Sequence, residues 1–180
     1  LTTPSSPVIA LVSQTNASCN AVCDGLAQVT TLAGLNYSIA GPGTPTINAT
    51  GAASNLCAGN YVITATDANG CTGTTSVTIT EPTAVVVTVT ASTDPSCTPG
   101  CDGTASVGGS GGTGPITYGI LPAGPTQPTA GNFSGLCAGT TYTITGTDGN
   151  GCTGTTTISL STPNAPIINV TAQTAVTCFG

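Results

Sequence analysis

Apolar and polar positions alternate with period two along most of the chain, as in strands that bury one face. Over residues 61–66, Tyr61, Ile63 and Ala65 fall on one side and Val62, Thr64 and Thr66 on the other. Val77 and Ile79 alternate with Ser76, Thr78 and Thr80, and Ile158 and Leu160 with Thr157, Ser159 and Ser161. Val87, Val89 and Ala91 alternate with Val86, Thr88 and Thr90 in the same way. Asp67-Ala68-Asn69-Gly70 and Asp148-Gly149-Asn150-Gly151 are tight-turn sequences, because Asn and Gly tolerate positive φ. No 3.6-residue stripe is present, so no helix is expected. In the first half the pattern predicts strands near 8–14, 25–31, 36–40, two within 45–56, then 60–66 and 73–80.

The chain repeats itself. Ser18-Cys19-Asn20-Ala21-Val22-Cys23-Asp24-Gly25 returns as Ser96-Cys97-Thr98-Pro99-Gly100-Cys101-Asp102-Gly103. Leu56-Cys57-Ala58-Gly59 returns as Leu136-Cys137-Ala138-Gly139, and residues 61–75 return as 142–156. A period of about 80 residues with indels in loops is the mark of tandem modules. The expected domains are 1–82, with 1–6 as the tail of a preceding repeat, then 83–163, then 164–180 as the first strand of a third, with breaks near Pro82 and Pro163. The chain reads as a window on a longer array. About seven short strands per repeat predict an all-β protein of tandem immunoglobulin-like β-sandwiches. Leu56-x-x-Gly59-x-Tyr61 resembles the tyrosine corner of such domains, and Tyr142 repeats it.

Composition narrows the function. Among 180 residues there is no Lys, Arg, His, Met or Trp, and six acids give a net charge of −6. Without cations the chain has nothing to neutralise phosphates, which excludes nucleic-acid binding and anionic-lipid docking. Without His or Lys there is no ordinary general base near neutral pH, so an enzyme is not expected. No apolar run approaches the ~18 residues of a membrane span. Nine Cys in a chain without a metal-binding spacing point to an oxidising compartment, outside the cell. Only 3% of residues are charged, so hydroxyl-rich strands, attached glycan or burial in an assembly must keep the surface soluble.

These residues resemble the SprB-type repeat of surface adhesins in gliding Bacteroidetes. The matching elements are Cys178-Phe179-Gly180, the Asp-Gly pairs at 24–25 and 102–103, and Gly111-Gly112-Thr113-Gly114-Pro115-Ile116-Thr117-Tyr118. The Leu-Cys-Ala-Gly, Thr-Asp-x-Asn-Gly-Cys-Thr and Glu81-Pro82 elements also match, so the resemblance spans the chain twice. Ile39 and Ile120 stand where the family often has Trp, and the first repeat lacks the Gly-Gly-Thr-x-Pro element. The resemblance implies a secreted filamentous or adhesive surface protein, a fibre whose partners are neighbouring repeats or copies of itself. The alternative is a carbohydrate- or surface-binding module. An ice-binding threonine array is more distant.

Family-like repeats often carry only cysteines at the positions of Cys19 and Cys71. That implies Cys23–Cys57 and Cys101–Cys137 as additional pairs within modules. In a sandwich, Cys19 and Cys23 share one end with Cys57, whereas Cys71 follows a turn at the other end, a strand length of about 20 Å away. A disulfide spans Cα atoms usually within about 7 Å. Cys19–Cys152 between modules is therefore expected, leaving Cys71, Cys97 and Cys178 for neighbouring repeats. Cys19–Cys71 within one module is the competing pairing.

Asp24, Asp67, Asp102 and Asp148 fall in turns and Glu81 at the module junction. They serve turn chemistry, or Asp24, Glu81 and Asp148 converge on calcium as hard oxygen ligands. No other cofactor is expected. Asn16, Asn36, Asn48, Asn132 and Asn169 head N-x-[ST] sequons and are candidate glycosylation sites, with O-glycans on outward threonines as the alternative.

Overall fold

A computed structural model describes residues 5–97, 100–162, 164, 167–169 and 171–173. Among these residues are fourteen strands and no helix. The first repeat contributes β1 (Leu11–Thr15), β2 (Gly25–Val29), β3 (Asn36–Ala40), β4 (Thr46–Ile47), β5 (Ala52–Leu56), β6 (Gly59–Thr66) and β7 (Thr72–Ile79). The second contributes β8 (Val86–Thr93), β9 (Gly103–Ser110), β10 (Thr117–Leu121), β11 (Thr126–Thr129), β12 (Asn132–Leu136), β13 (Thr141–Thr147) and β14 (Thr153–Ser159).

Each set of seven forms a four-stranded and a three-stranded sheet. The orders are β1-β2-β5-β4 with β3-β6-β7, and β11-β12-β9-β8 with β10-β13-β14. With strands lettered in chain order these are sheets ABED and CFG, the arrangement of a constant-type immunoglobulin sandwich. The protein is thus all-β, built of tandem immunoglobulin-like modules of seven strands.

Alternation explains the first core. Tyr61, Ile63 and Ala65 of β6 and Val77 and Ile79 of β7 turn inward from one sheet. Ala27, Val29, Ala53 and Leu56 meet them from the other, and Tyr37, Ile39 and Ile47 pack at its margin. The outward partners along β6 and β7 are paired in register, Thr64 with Thr74 and Thr66 with Thr72. In the second repeat Ala105, Val107, Phe133, Leu136, Tyr142, Ile144, Ile158 and Leu160 are buried in the same pattern.

Two strands depart from the expected alternation. In β8 only Val87 is buried, and the chain is exposed from Thr88 onward, so Val89 and Ala91 do not join a core. This strand is the edge of its sheet, with a single neighbour. β1 is likewise an exposed edge strand, and its apolar anchor is Ile9, just before it. The strand expected over 164–180, and Cys178 with it, falls largely outside the described residues.

Contacts divide the chain into two compact units. The first comprises Leu1–Thr88, Gly109–Gly119 and Thr145–Thr155; the second comprises Val89–Gly108, Ile120–Ile144 and Thr156–Gly180. Two segments of the second repeat therefore belong to the first unit. Within that unit Gly112 N donates to Thr83 O at 2.8 Å and Gly149 N to Thr113 O at 2.8 Å, which draws both segments together. Among the described residues no helix is long and apolar enough to cross a membrane.

Candidate functional site: cysteine loops and their carboxylate clamps

The chemistry of this chain is concentrated in the loops that carry cysteine. Among the described residues three disulfides are present: Cys23–Cys57, Cys101–Cys137 and Cys19–Cys152. The first two are equivalent. Gly25 pairs with Leu56 and Gly103 with Leu136, so each bridge lies just past the last rung of an antiparallel ladder. Glycine is required on that rung. A Cβ on Gly25 would lie 2.7 Å from Leu56 O and 2.8 Å from Ile79 Cγ2, which explains the Asp-Gly that follows each Cys23-type cysteine.

Each tyrosine corner anchors the same loop. Tyr61 is fully buried, and its hydroxyl lies 2.9 Å from Cys57 O and 3.1 Å from Pro42 O. Tyr142 uses its hydroxyl differently, accepting from Cys137 N at 2.9 Å. In both repeats the tyrosine holds the backbone of the cysteine that closes the internal bridge.

Cys19–Cys152 joins the β1–β2 loop of the first repeat to the β13–β14 turn of the second, with Cα atoms 5.6 Å apart. Asn150 Nδ2 adds a hydrogen bond to Ser18 O at 3.1 Å. All of these residues lie in the first compact unit. Among the described residues Cys71 and Cys97 are unpaired, Cys71 half-buried and Cys97 exposed.

Carboxylates hold these loops in shape. With no cation in the chain, their partners are N–H and O–H donors, and all six acids accept from a backbone N–H. Asp24 takes Ser18 N at 2.9 Å and Asp102 takes Ser96 N at 2.9 Å, each also accepting the serine hydroxyl. Asp67 takes Asn69 N and Cys71 N, both at 2.8 Å. Glu81 takes Ala21 N at 2.7 Å and Asn20 Nδ2 at 3.0 Å, fixing Ala21 at φ 59°, a backbone region costly for a residue with a Cβ. Asp94 takes Ser161 N at 2.8 Å.

Asp148 is buried and takes three amides: Thr113 N at 2.7 Å, Asn150 N at 2.9 Å and Cys152 N at 2.8 Å. Burial alone would raise its pKa. The N–H groups of Thr113, Cys152 and Asn150 outweigh that and hold the carboxyl below its ordinary range. Asp24 and Asp102 are also held low, first by the serine hydroxyl and then by the serine N–H.

The expected convergence of Asp24, Glu81 and Asp148 on calcium is not what the structure shows. Each carboxylate serves its own set of N–H and O–H donors, and among the described residues no group of three or more His, Cys, Asp or Glu is gathered to hold a metal.

The sequon residues Asn16, Asn36, Asn48, Asn132 and Asn169 are all exposed. Asn48 Oδ1 accepts Thr50 N, Thr50 Oγ1 and Ala52 N, and Asn16 Oδ1 accepts Thr80 N, so these two also shape their turns. An open groove of about 370 Å³ runs over Ser13, Thr15, Leu26, Gln28 and Ser54. A second, of about 390 Å³, lies against Cys19, Val22, Val85 and Cys152. Neither is lined by an aromatic side chain that would stack a sugar ring.

Sequence reasoning missed Asp94, the Glu81 clamp on the Cys19 loop and the Thr113 amide on Asp148. These partners are 67, 60 and 35 residues apart, and no local spacing announces them.

No protein-family model matches the chain, and no curated protein does. Solved structures of cadherin ectodomains match. The protocadherin gamma B2 extracellular cadherin domains 3–6 are 13% identical over 88% of this chain and 46% of that one, with a TM-score of 0.34. Domains EC1–4 of PcdhgB3 give 14% identity over 88% and 50%, with a TM-score of 0.37. The human desmocollin-1 ectodomain gives 17% over 84% and 35%, with a TM-score of 0.32. The chain thus spans half or less of each of these three structures, and at such scores nothing about calcium, ligand or partner follows.

Proposed function

We propose that this chain is a non-enzymatic structural repeat of an extracellular adhesive fibre, displayed on a cell surface or released from it. The observation that carries the reading is Cys19–Cys152, a covalent tie between loops of successive sequence repeats, 133 residues apart. Such bonds persist in oxidising compartments outside the cytosol. Inter-module contacts alone normally permit relative motion, and a covalent tie restrains it. The resemblance to SprB-type adhesin repeats supports the same reading, with neighbouring repeats or copies as partners. The absence of Lys and His removes the usual proton-transfer and nucleophile chemistry, which leaves a mechanical role. Glycans on the exposed sequons or threonine rows supply the hydration that a surface with 3% charged residues lacks. The reading does not require calcium, since among the described residues no cluster of ligands is gathered to hold it.

The test is immunogold electron microscopy of the source cells with an antibody raised against residues 1–180. Label along filaments outside the cell is the expected result. Label confined to the cell interior, or scattered over a surface without filaments, would overturn the proposal.

A further inference from the structure

Among the described residues there are one completed junction and two matching halves. The completed junction is Cys19 on its Ser18–Asp24 loop bonded to Cys152 on its Asp148 turn. Cys71 sits on a turn with the same internal bonding as that of Cys152. In the first, Cys71 N and Asn69 N reach Asp67 Oδ1 at 2.8 and 2.8 Å, Asp67 N reaches Cys71 O at 3.0 Å, and Gly70 N reaches Asp67 O at 3.1 Å. In the second, the corresponding distances are 2.8, 2.9, 3.0 and 3.1 Å. Cys97 sits on a loop like that of Cys19: Ser96 N reaches Asp102 at 2.9 Å where Ser18 N reaches Asp24 at 2.9 Å, with the serine hydroxyl on the other oxygen in both. Cys71 is half-buried, Cys97 is exposed, and neither is bonded.

We propose that Cys71 and Cys97 are the two open halves of the Cys19–Cys152 junction, each shaped to take a further repeat of this sequence type. Cys97 takes the Cys152-type turn of a repeat that follows, and Cys71 the Cys19-type loop of a repeat that precedes. The carboxylate clamps, Asp67 on the Cys71 turn and Asp102 on Ser96 beside Cys97, are in place without the bond, which lowers the ordering needed to close the junction. Asn69 and Ser96 stand at the repeat positions of Asn150 and Ser18, whose hydrogen bond accompanies the completed junction. Closing a junction joins two thiols as one disulfide and passes their two protons and two electrons to a disulfide oxidant, which leaves as two thiols. Successive staples then overlap: the Cys19 staple covers residues 20–151 and a Cys97 staple starts at 97. Any peptide bond cut along such an array is bridged by at least one disulfide, so a single nick does not sever the fibre.

This inference rests on the tandem-fibre reading, but its test concerns junction chemistry alone and is independent of where the protein resides. Two extended chains are oxidised with glutathione disulfide and mapped without reduction, using a protease other than trypsin. One carries residues 83–163 a second time after Pro163, the added copy mass-marked by T155S. The other carries residues 1–82 ahead of Ser5, the original copy marked by T74S. The expected links are Cys97 to the marked Cys152 peptide in the first chain and the added Cys19 to the marked Cys71 peptide in the second. Maleimide then labels one of the two Cys97 copies in the first chain and only the unmarked one of the two Cys71 copies in the second, while Cys23–Cys57 and Cys101–Cys137 report native folding. Free thiols on both copies of Cys97 in the folded first chain or on the marked Cys71 in the folded second, a Cys97–Cys178 bond, or a Cys97–Cys152 bond within one copy would overturn the proposal. So would failure of both chains to fold, since a junction that propagates must accept an added repeat at either end.

Discussion

Cys19→Ser isolates what the long-range bond does under load. When the chain is pulled from its two ends, force travels through residues 1–19, crosses the disulfide, and leaves through residues 152–180. Everything between is bypassed. With all three bridges intact only about 48 residues can lengthen, roughly 170 Å at about 3.5 Å per residue. The substitution opens a span of 133 residues, of which the inner bridges still lock 34 and 36, so about 63 further residues are released. That adds about 220 Å of contour length by the same scale. The competing pairing within modules, Cys19–Cys71 with the equivalent Cys97–Cys152, would give a native chain that lengthens by about 260 Å, so the native trace alone separates the two. Closing a loop of about 63 free residues contributes about 4 kcal/mol by the chain-entropy argument, and thermal unfolding of the variant should register a loss of that order. Single-molecule force spectroscopy with Cys71, Cys97 and Cys178 alkylated is the assay. Equal contour lengths for native and Cys19→Ser chains would refute the reasoning, because the bond would then lie outside the load path.

Asp148→Ala should destabilise the fold by roughly 3 kcal/mol in denaturant unfolding, because Thr113 N, Asn150 N and Cys152 N lose their acceptor in a buried site. It should also slow oxidation of Cys152 during refolding, a readout that simple loss of core packing would not single out. Asp24, Asp102 and Asp148 are all held below the ordinary carboxylate range, so their contribution is complete above about pH 4 and is lost as pH falls through the depressed native values. Tm measured calorimetrically should be flat from neutrality to about pH 5 and drop below about pH 4, where the vanishing net charge also promotes precipitation. A Tm that rises on acidification would contradict these clamps. Addition of EDTA should leave Tm unchanged at neutral pH; a marked fall would show that a cation, and not amide donors, satisfies the acids.

Period-two alternation placed the inward faces of β6, β7 and β14 and the turns between strands, because burial of one sheet face is written residue by residue. The tyrosine corners were legible for the same reason: Tyr61 lies four residues from the carbonyl its hydroxyl reaches. The repeat marked the equivalent cysteines, and the strand length between Cys57 and Cys71 showed that the two lie at opposite ends of a module. What the tertiary structure decided was partnership over long separations. Glu81 with Ala21, Asp94 with Ser161 and Asp148 with Thr113 meet only after the sheets have formed. The fate of the acids shows why. A carboxylate in a chain without cations is satisfied by whichever amide the packed loops bring within reach, and a backbone amide carries no signature in the sequence. The expected gathering of Asp24, Glu81 and Asp148 is not seen among the described residues, and the alternation of β8 stops beyond Val87, where an edge strand has apolar residues but no layer facing them.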